Sequence, residues 1–133
     1  MSNAVYPKAK ETALTYLLSL GVLKAVLVDT TAYTYSSAHQ YMSSVPSGAR
    51  VVTPITLSSV TNSSGVLNAA NLSWTGLSGV PAVGAVLLYL DTGSDATSPV
   101  LAYIDTASGL PTSANPTRVD VQWDIGANKI LAL

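Results

Sequence analysis

The sequence predicts a mainly β protein: a β-sandwich or jelly-roll-like barrel of about seven or eight short strands with one N-terminal helix, residues 1–133 forming a single domain. Three observations carry this. Helical spacing of apolar residues occurs once, near the start of the chain. From Val22 onward the apolar residues come as short runs or alternations, separated by the Gly, Pro, Asn and Ser that punctuate turns. The length of 133 residues suits one core, since domains commonly run about 100–150 residues.

The helix is expected over about residues 6–20. Pro7 suits a first helical turn, and Glu11 puts a carboxylate near the positive end of the helix dipole. Ala9, Ala13, Leu14, Leu17 and Leu18 recur at helical spacing, and Gly21 is the expected stop. Val22 to Val28 is a valine-rich apolar run of strand length. Thr30 to Ser37, with Tyr33 and Tyr35, is rich in turn formers. Ala38 to Val45 has room for one or two helical turns before Pro46-Ser47-Gly48 ends them.

The rest reads as β. Arg50 to Ser58 is a strand expected at an edge or a bulge, because Pro54 has no N–H to give a ladder. Asn62-Ser63-Ser64-Gly65 signals a turn, and Val66 to Thr75 a returning strand. Val83 to Leu90 is nearly continuously apolar and predicts a central strand covered on both faces, with Val100 to Ile104 as another strand. Arg118 to Asp124 alternates with period two, so Val119, Val121 and Trp123 should face the core. Gly126-Ala127-Asn128 then turns into a final strand, Lys129 to Leu133. Phenylalanine is absent, which leaves Trp74 and Trp123 as the largest pieces of a thin core. Asp-Thr follows an apolar run at Asp29, Asp91 and Asp105. Each is read as a strand exit in which Asp accepts hydrogen bonds from the following amides, and the copies are too short and unevenly spaced to be a repeat.

Only 10% of the residues are charged, six basic and seven acidic, with one histidine and no cysteine. A typical soluble domain carries roughly 25%. Such a chain has little material for acid–base, nucleophilic or metal chemistry. Its surface is also cheap to desolvate, because burying Ser or Thr costs far less than burying an unpaired ion. Both consequences favour a protein covered by other proteins over an enzyme, and no cofactor is expected. A net charge of −1 argues against binding nucleic acid or an anionic membrane. Weak charge also protects poorly against self-association, which points to a homo-oligomer. Met1 to Lys8 lacks the pattern of a secretory signal, and Ala13 to Val28, broken by Gly21 and Lys24, is too short to span a bilayer. A soluble chain made in a cytoplasm is the expectation.

Specific chemistries fare poorly. His39 with the serines and six aspartates would satisfy the inventory of a Ser–His–Asp site, but no Gly-x-Ser-x-Gly elbow occurs, and His39 reads as a surface or partner-facing residue. Asp120 and Asp124, four residues apart on one strand face, would stand roughly 13 Å apart, too far for a retaining glycosidase pair. The loop Asp91-Thr92-Gly93-Ser94-Asp95 has hard oxygen ligands but lacks the other acids of an EF-hand. Gly76-Leu77-Ser78-Gly79 has neither the lysine nor the helix of a P-loop. Tyr33, Tyr35 and Tyr41 form a tyrosine-rich stretch suited to a protein-binding patch or a sugar platform, the former favoured because tyrosine is enriched in interfaces.

The phrases Asn3-Ala4-Val5-Tyr6, Leu23 to Asp29, Val100 to Pro111 and Val121 to Ile130 resemble small virion structural proteins of tailed phages and prophages, and the resemblance spans nearly the whole chain. It implies a subunit present in many copies on a capsid or tail, and it carries over no functional residues. The expectation is therefore a virion protein made in the host cytoplasm. Its role would be to decorate the capsid as a cement protein on the major capsid protein or other virion proteins. A tail or fibre accessory, or a receptor- or glycan-binding module with exposed aromatics, is the alternative. Candidate contact residues are Tyr33, Tyr35, His39, Tyr41, Trp74 and Leu77, with the loop from Gly76 to Pro81.

Overall fold

In a computed structural model, residues 3–127 and 129–133 are described. Met1 and Ser2, and the Asn128 of the predicted turn, lie outside them. The protein is mainly β, with nine strands in three antiparallel sheets and one N-terminal helix among the described residues, a sandwich-like arrangement. The helix α1 spans Pro7–Leu18, with Pro7 in the first turn, where a missing N–H leaves no helical bond unmade. It buries only Leu14. Ala9 and Ala13 of the expected apolar stripe face solvent. Gly21 is not the helix stop, a role taken by Ser19. It lies instead where the chain crosses the end of a strand, and a Cβ there would come within 2.7 Å of the Asp91 carbonyl oxygen.

The main sheet has the order β2-β1-β6-β7, from Ile55–Thr56, Val22–Val28, Ala85–Asp91 and Val100–Ile104. β1 and β6 pair from Val22↔Asp91 to Val28↔Ala85. An antiparallel sheet usually shows one face to water and alternates in polarity. Here β6 is buried at every position from Ala85 to Leu90, because both faces are covered. Leu23, Ala25, Leu27, Val86, Leu88 and Leu90 pack into the larger core with Leu14, Leu72, Trp74, Val119, Val121 and Trp123. Val26, Val28, Ala85, Leu87 and Tyr89 face the other way and meet Tyr33, Met42, Val45 and Ala49 from residues 29–50. That segment contains no strand; it covers the sheet as an irregular layer with two single-turn 3-10 helices, Met42–Ser44 and Ser47–Ala49.

Four predicted strands shorten, among them Arg118 to Asp124 and Lys129 to Leu133. Arg50 to Ser58 reduces to β2 plus an isolated bridge from Arg50 to Val28, with Pro54 interrupting the ladder between them. Val66 to Thr75 divides into β4, Val66–Asn68, and β5, Leu72–Trp74. β4 pairs with β3 and β9, whereas β5 pairs with β8. Asn62 and Ser63 belong to β3, Thr61–Ser63, so the turn is confined to Ser64 and Gly65. These changes raise the strand count above the expected seven or eight. β8 is Val119–Val121 and β9 is Leu131–Ala132. Val119, Val121 and Trp123 point inward as the period-two pattern required. Helix α1 docks on the β3–β4 turn, where Asn62 Nδ2 donates to the Glu11 carbonyl at 2.8 Å and the Ser64 N–H to Glu11 Oε2 at 3.2 Å.

Two of the three Asp-Thr exits form the expected turn. Asp29 Oδ1 accepts the Thr31 N–H, and Asp91 Oδ1 the Gly93 N–H, both at 2.9 Å. Among the described residues no helix is long and apolar enough to cross a membrane.

Candidate functional site

The irregular layer over the second face of the main sheet carries the densest group of aromatic side chains. The Tyr33 N–H donates to the Asp29 carbonyl at 3.0 Å, which starts the layer directly from the Asx turn at the end of β1. The Tyr33 ring is buried, and its hydroxyl is 2.9 Å from His39 Nδ1 in a hydrogen bond. The loop between them is held by Ser36, whose carbonyl accepts the His39 N–H and whose hydroxyl oxygen accepts the Ala38 N–H. Burial, more than the neighbouring tyrosines, pushes the Tyr33 hydroxyl up from its ordinary value, and burial does the same at Tyr103. Both hydroxyls therefore keep their protons at neutral pH.

Tyr103 reaches this group because β7 is bulged. Val100 pairs with Tyr89, but Ala102 pairs with Leu88 and Tyr103 with Leu87, leaving Leu101 as the extra residue. In a regular strand Val100 and Tyr103, three residues apart, would stand on opposite faces. With Leu101 bulged out of the pairing, both pack over the second face. The Tyr103 ring lies 6.3 Å from that of Tyr33 and 5.6 Å from that of Tyr35, each pair tilted. Tyr33, Tyr35, Tyr103 and His39, with Ser36 and Ser37, surround a cavity of about 140 Å³ floored by Leu87 and residues 100–102.

The six candidate contact residues separate into different environments. Tyr35, 57% exposed, and His39 are at the cavity and reachable from solvent. Tyr33 is 4% exposed, so it is a wall of the cavity and not a contact surface. Tyr41 is exposed beside the cluster, bridged to Pro99 at the start of β7. Trp74 is 5% exposed and its Nε1 donates to the Thr53 carbonyl at 2.8 Å, which removes it from the contact set. A large aromatic ring in a chain without phenylalanine is worth more to the core than to the surface. Leu77 is half-buried in a separate shallow depression with Arg50 and Val52. Trp123 is buried like Trp74, its Nε1 donating to Ala70 O at 3.0 Å, so neither indole offers a platform for a sugar. Tyr103 was missed because its place depends on the bulge, and nothing in Val100 to Ile104 marks Leu101 as an insertion.

The charged groups are mostly tied to one another. Lys24 Nζ meets Asp91 Oδ2 at 2.6 Å and Arg50 Nη1 meets Asp95 Oδ2 at 2.9 Å, so both carboxylates of the Asp91–Asp95 loop face cations of the chain itself. Lys8 pairs with Glu11 and Arg118 with Asp120. Asp29 and Asp124 accept backbone N–H groups, and Lys129 donates to the Ile125 carbonyl. Asp120 also accepts from Ser73, so the two carboxylates of the Asp120–Asp124 segment are separately engaged. Among the described residues no group of three His, Asp or Glu converges on a point. The chain matches no protein-family model and no curated protein sequence.

Proposed function

We propose that this chain is a structural subunit of a tailed-phage particle, lying on the outside of the capsid as a homo-oligomer that contacts the major capsid protein and stabilises the assembled shell. The observation that carries the reading is the state of its few charges. Four of the six basic side chains, Lys8, Lys24, Arg50 and Arg118, are in ion pairs within the chain. A partner that covers such a surface strands little charge, and stranding charge is the largest penalty of a dry interface. Exposed apolar side chains are available at Val5, Tyr6, Tyr16, Leu20, Val22 and Ile125. The resemblance of the chain to small virion proteins supports the same reading. A subunit that binds the assembled shell and not its free components stabilises the shell by mass action.

The test is to add purified protein to empty capsids that lack it and follow sedimentation and thermal disassembly. Saturable co-sedimentation and a higher disassembly temperature are expected. Binding to isolated tails and not to capsids would replace the capsid role with that of a tail accessory. Binding to neither particle would overturn the proposal.

A further inference from the structure

We propose that the tyrosine-walled cavity beside β7 is a binding site for a small organic cation of the quaternary ammonium class. The inference stands on geometry that the assembly reading does not use. Tyr103 is the middle wall, with the ring of Tyr33 at 6.3 Å and that of Tyr35 at 5.6 Å, each tilted against it so that adjacent walls meet at a corner. Aromatic faces carry negative charge density, and several rings turned toward one space form the arrangement that attracts a cation with no N–H donor of its own to satisfy. No Lys or Arg lines the cavity. Asp105 follows directly on the same strand. Its carboxylate helps to push the Tyr103 hydroxyl up, so its negative field reaches the cavity wall. Asp105 is exposed and makes no ion pair among the described residues, which leaves that field unneutralised within the chain.

Size narrows the ligand. Drug-sized ligands occupy pockets of roughly 300–1,000 Å³, whereas this cavity holds about 140 Å³. That is room for one head group and not for an oligosaccharide. A quaternary ammonium is weakly hydrated and carries only methyl or methylene groups outward, which matches the apolar floor of Leu87, Val100, Leu101 and Ala102. A sugar ring would need several directional partners, and the Tyr33 hydroxyl is already engaged by His39.

The experiment titrates the folded protein with choline chloride while recording the aromatic ring resonances of the tyrosines. Sodium chloride and glucose at equal concentration serve as controls. Saturable shifts confined to Tyr33, Tyr35 and Tyr103 with choline alone are expected. Tyr35→Ala, which removes an exposed ring and spares the core, should weaken choline about tenfold, the range of one cation–π contact. Asp105→Asn should weaken it by a smaller factor without moving the melting temperature. Co-sedimentation with phosphatidylcholine vesicles would assign a membrane-borne head group, whereas choline binding without vesicle binding would assign a free solute. Equal shifts with glucose or sodium chloride, unsaturable shifts, or unchanged affinity in Tyr35→Ala would overturn the proposal.

Discussion

Arg50 is the residue on which the irregular layer over the second sheet face most depends. Its Nη2 donates to the carbonyls of Met42 and Val45 at 2.6 and 2.8 Å, and its Nη1 meets Asp95. The residue thereby ties the 3-10 turn at Met42–Ser44 to the loop after β6, while its backbone bridges to Val28. A hydrogen bond from a charged donor contributes about 1.5–3 kcal/mol. Arg50 Nε is buried without a partner, which subtracts from the total, so the lower part of the range applies to the two carbonyl bonds. Arg50→Met keeps the apolar stem and removes the fork, and the expected loss is about 2–4 kcal/mol. At this chain length that is a fall in melting temperature on the order of 10 °C. Asp95→Asn is the control. Asp95 is more than half exposed, and an exposed ion pair contributes about 0.2–1 kcal/mol. Urea unfolding followed by tryptophan fluorescence and far-ultraviolet circular dichroism measures both variants. A loss under 1 kcal/mol in Arg50→Met would refute the argument, as would an equal loss in Asp95→Asn, since the ion pair would then be the source.

Three further outcomes follow from the same structure. Gly65 has φ +83° and a Cβ there would come within 2.6 Å of Lys10 Cβ, so Gly65→Ala should lower stability by about 1–3 kcal/mol by lifting α1 off the β3–β4 turn, measured by thermal unfolding. Asp91 is held below its ordinary carboxyl value first by the Lys24 hydrogen bond and then by the Gly93 N–H. A depressed folded pKa gives stability that is present above the unfolded value and lost as pH falls through the folded one, so Asp91→Asn should flatten the decline in stability below about pH 4. Lys24 is raised above its ordinary value chiefly by the same bond, and the variant should also lose the complementary support that persists up to alkaline pH. Both indoles are buried, so iodide should quench tryptophan fluorescence weakly in the folded protein and strongly in urea; strong quenching before unfolding would contradict the core described above.

Much of the architecture was legible from local pattern. Val22–Val28 and Val100–Ile104 were read with the observed bounds, because each is an apolar run closed by a polar exit. The double coverage of β6 followed from its lack of polar positions, although what covers it could not be read. Residues 29–50 have neither helical nor strand periodicity, and they act through scattered anchors: Tyr33, Met42, Val45 and Ala49. The division of Val66 to Thr75 was hidden because its two halves pair with different strands, a decision made by tertiary partners and not by the intervening Ala69 and Ala70. The tyrosine-rich stretch points to Tyr33, Tyr35 and His39 alike, because composition does not separate a ring that faces water from one that walls a cavity. Tyr33 and Trp74 fell on the buried side of that distinction.

The free edge of β7 connects these features. Edge strands are commonly guarded by lysine or other charge, which repels unwanted strand addition. This chain has little charge to spend, and β7 carries none from Val100 to Ile104. Its first residues are instead paired by the irregular layer, with Tyr41 bridged to Pro99 and the Val100 N–H donating to the Gln40 carbonyl at 3.1 Å. The bulge at Leu101 then disturbs the ladder, and the Tyr35 ring lies against Tyr103. These are backbone and aromatic devices, and none of them places an ion within the strand itself.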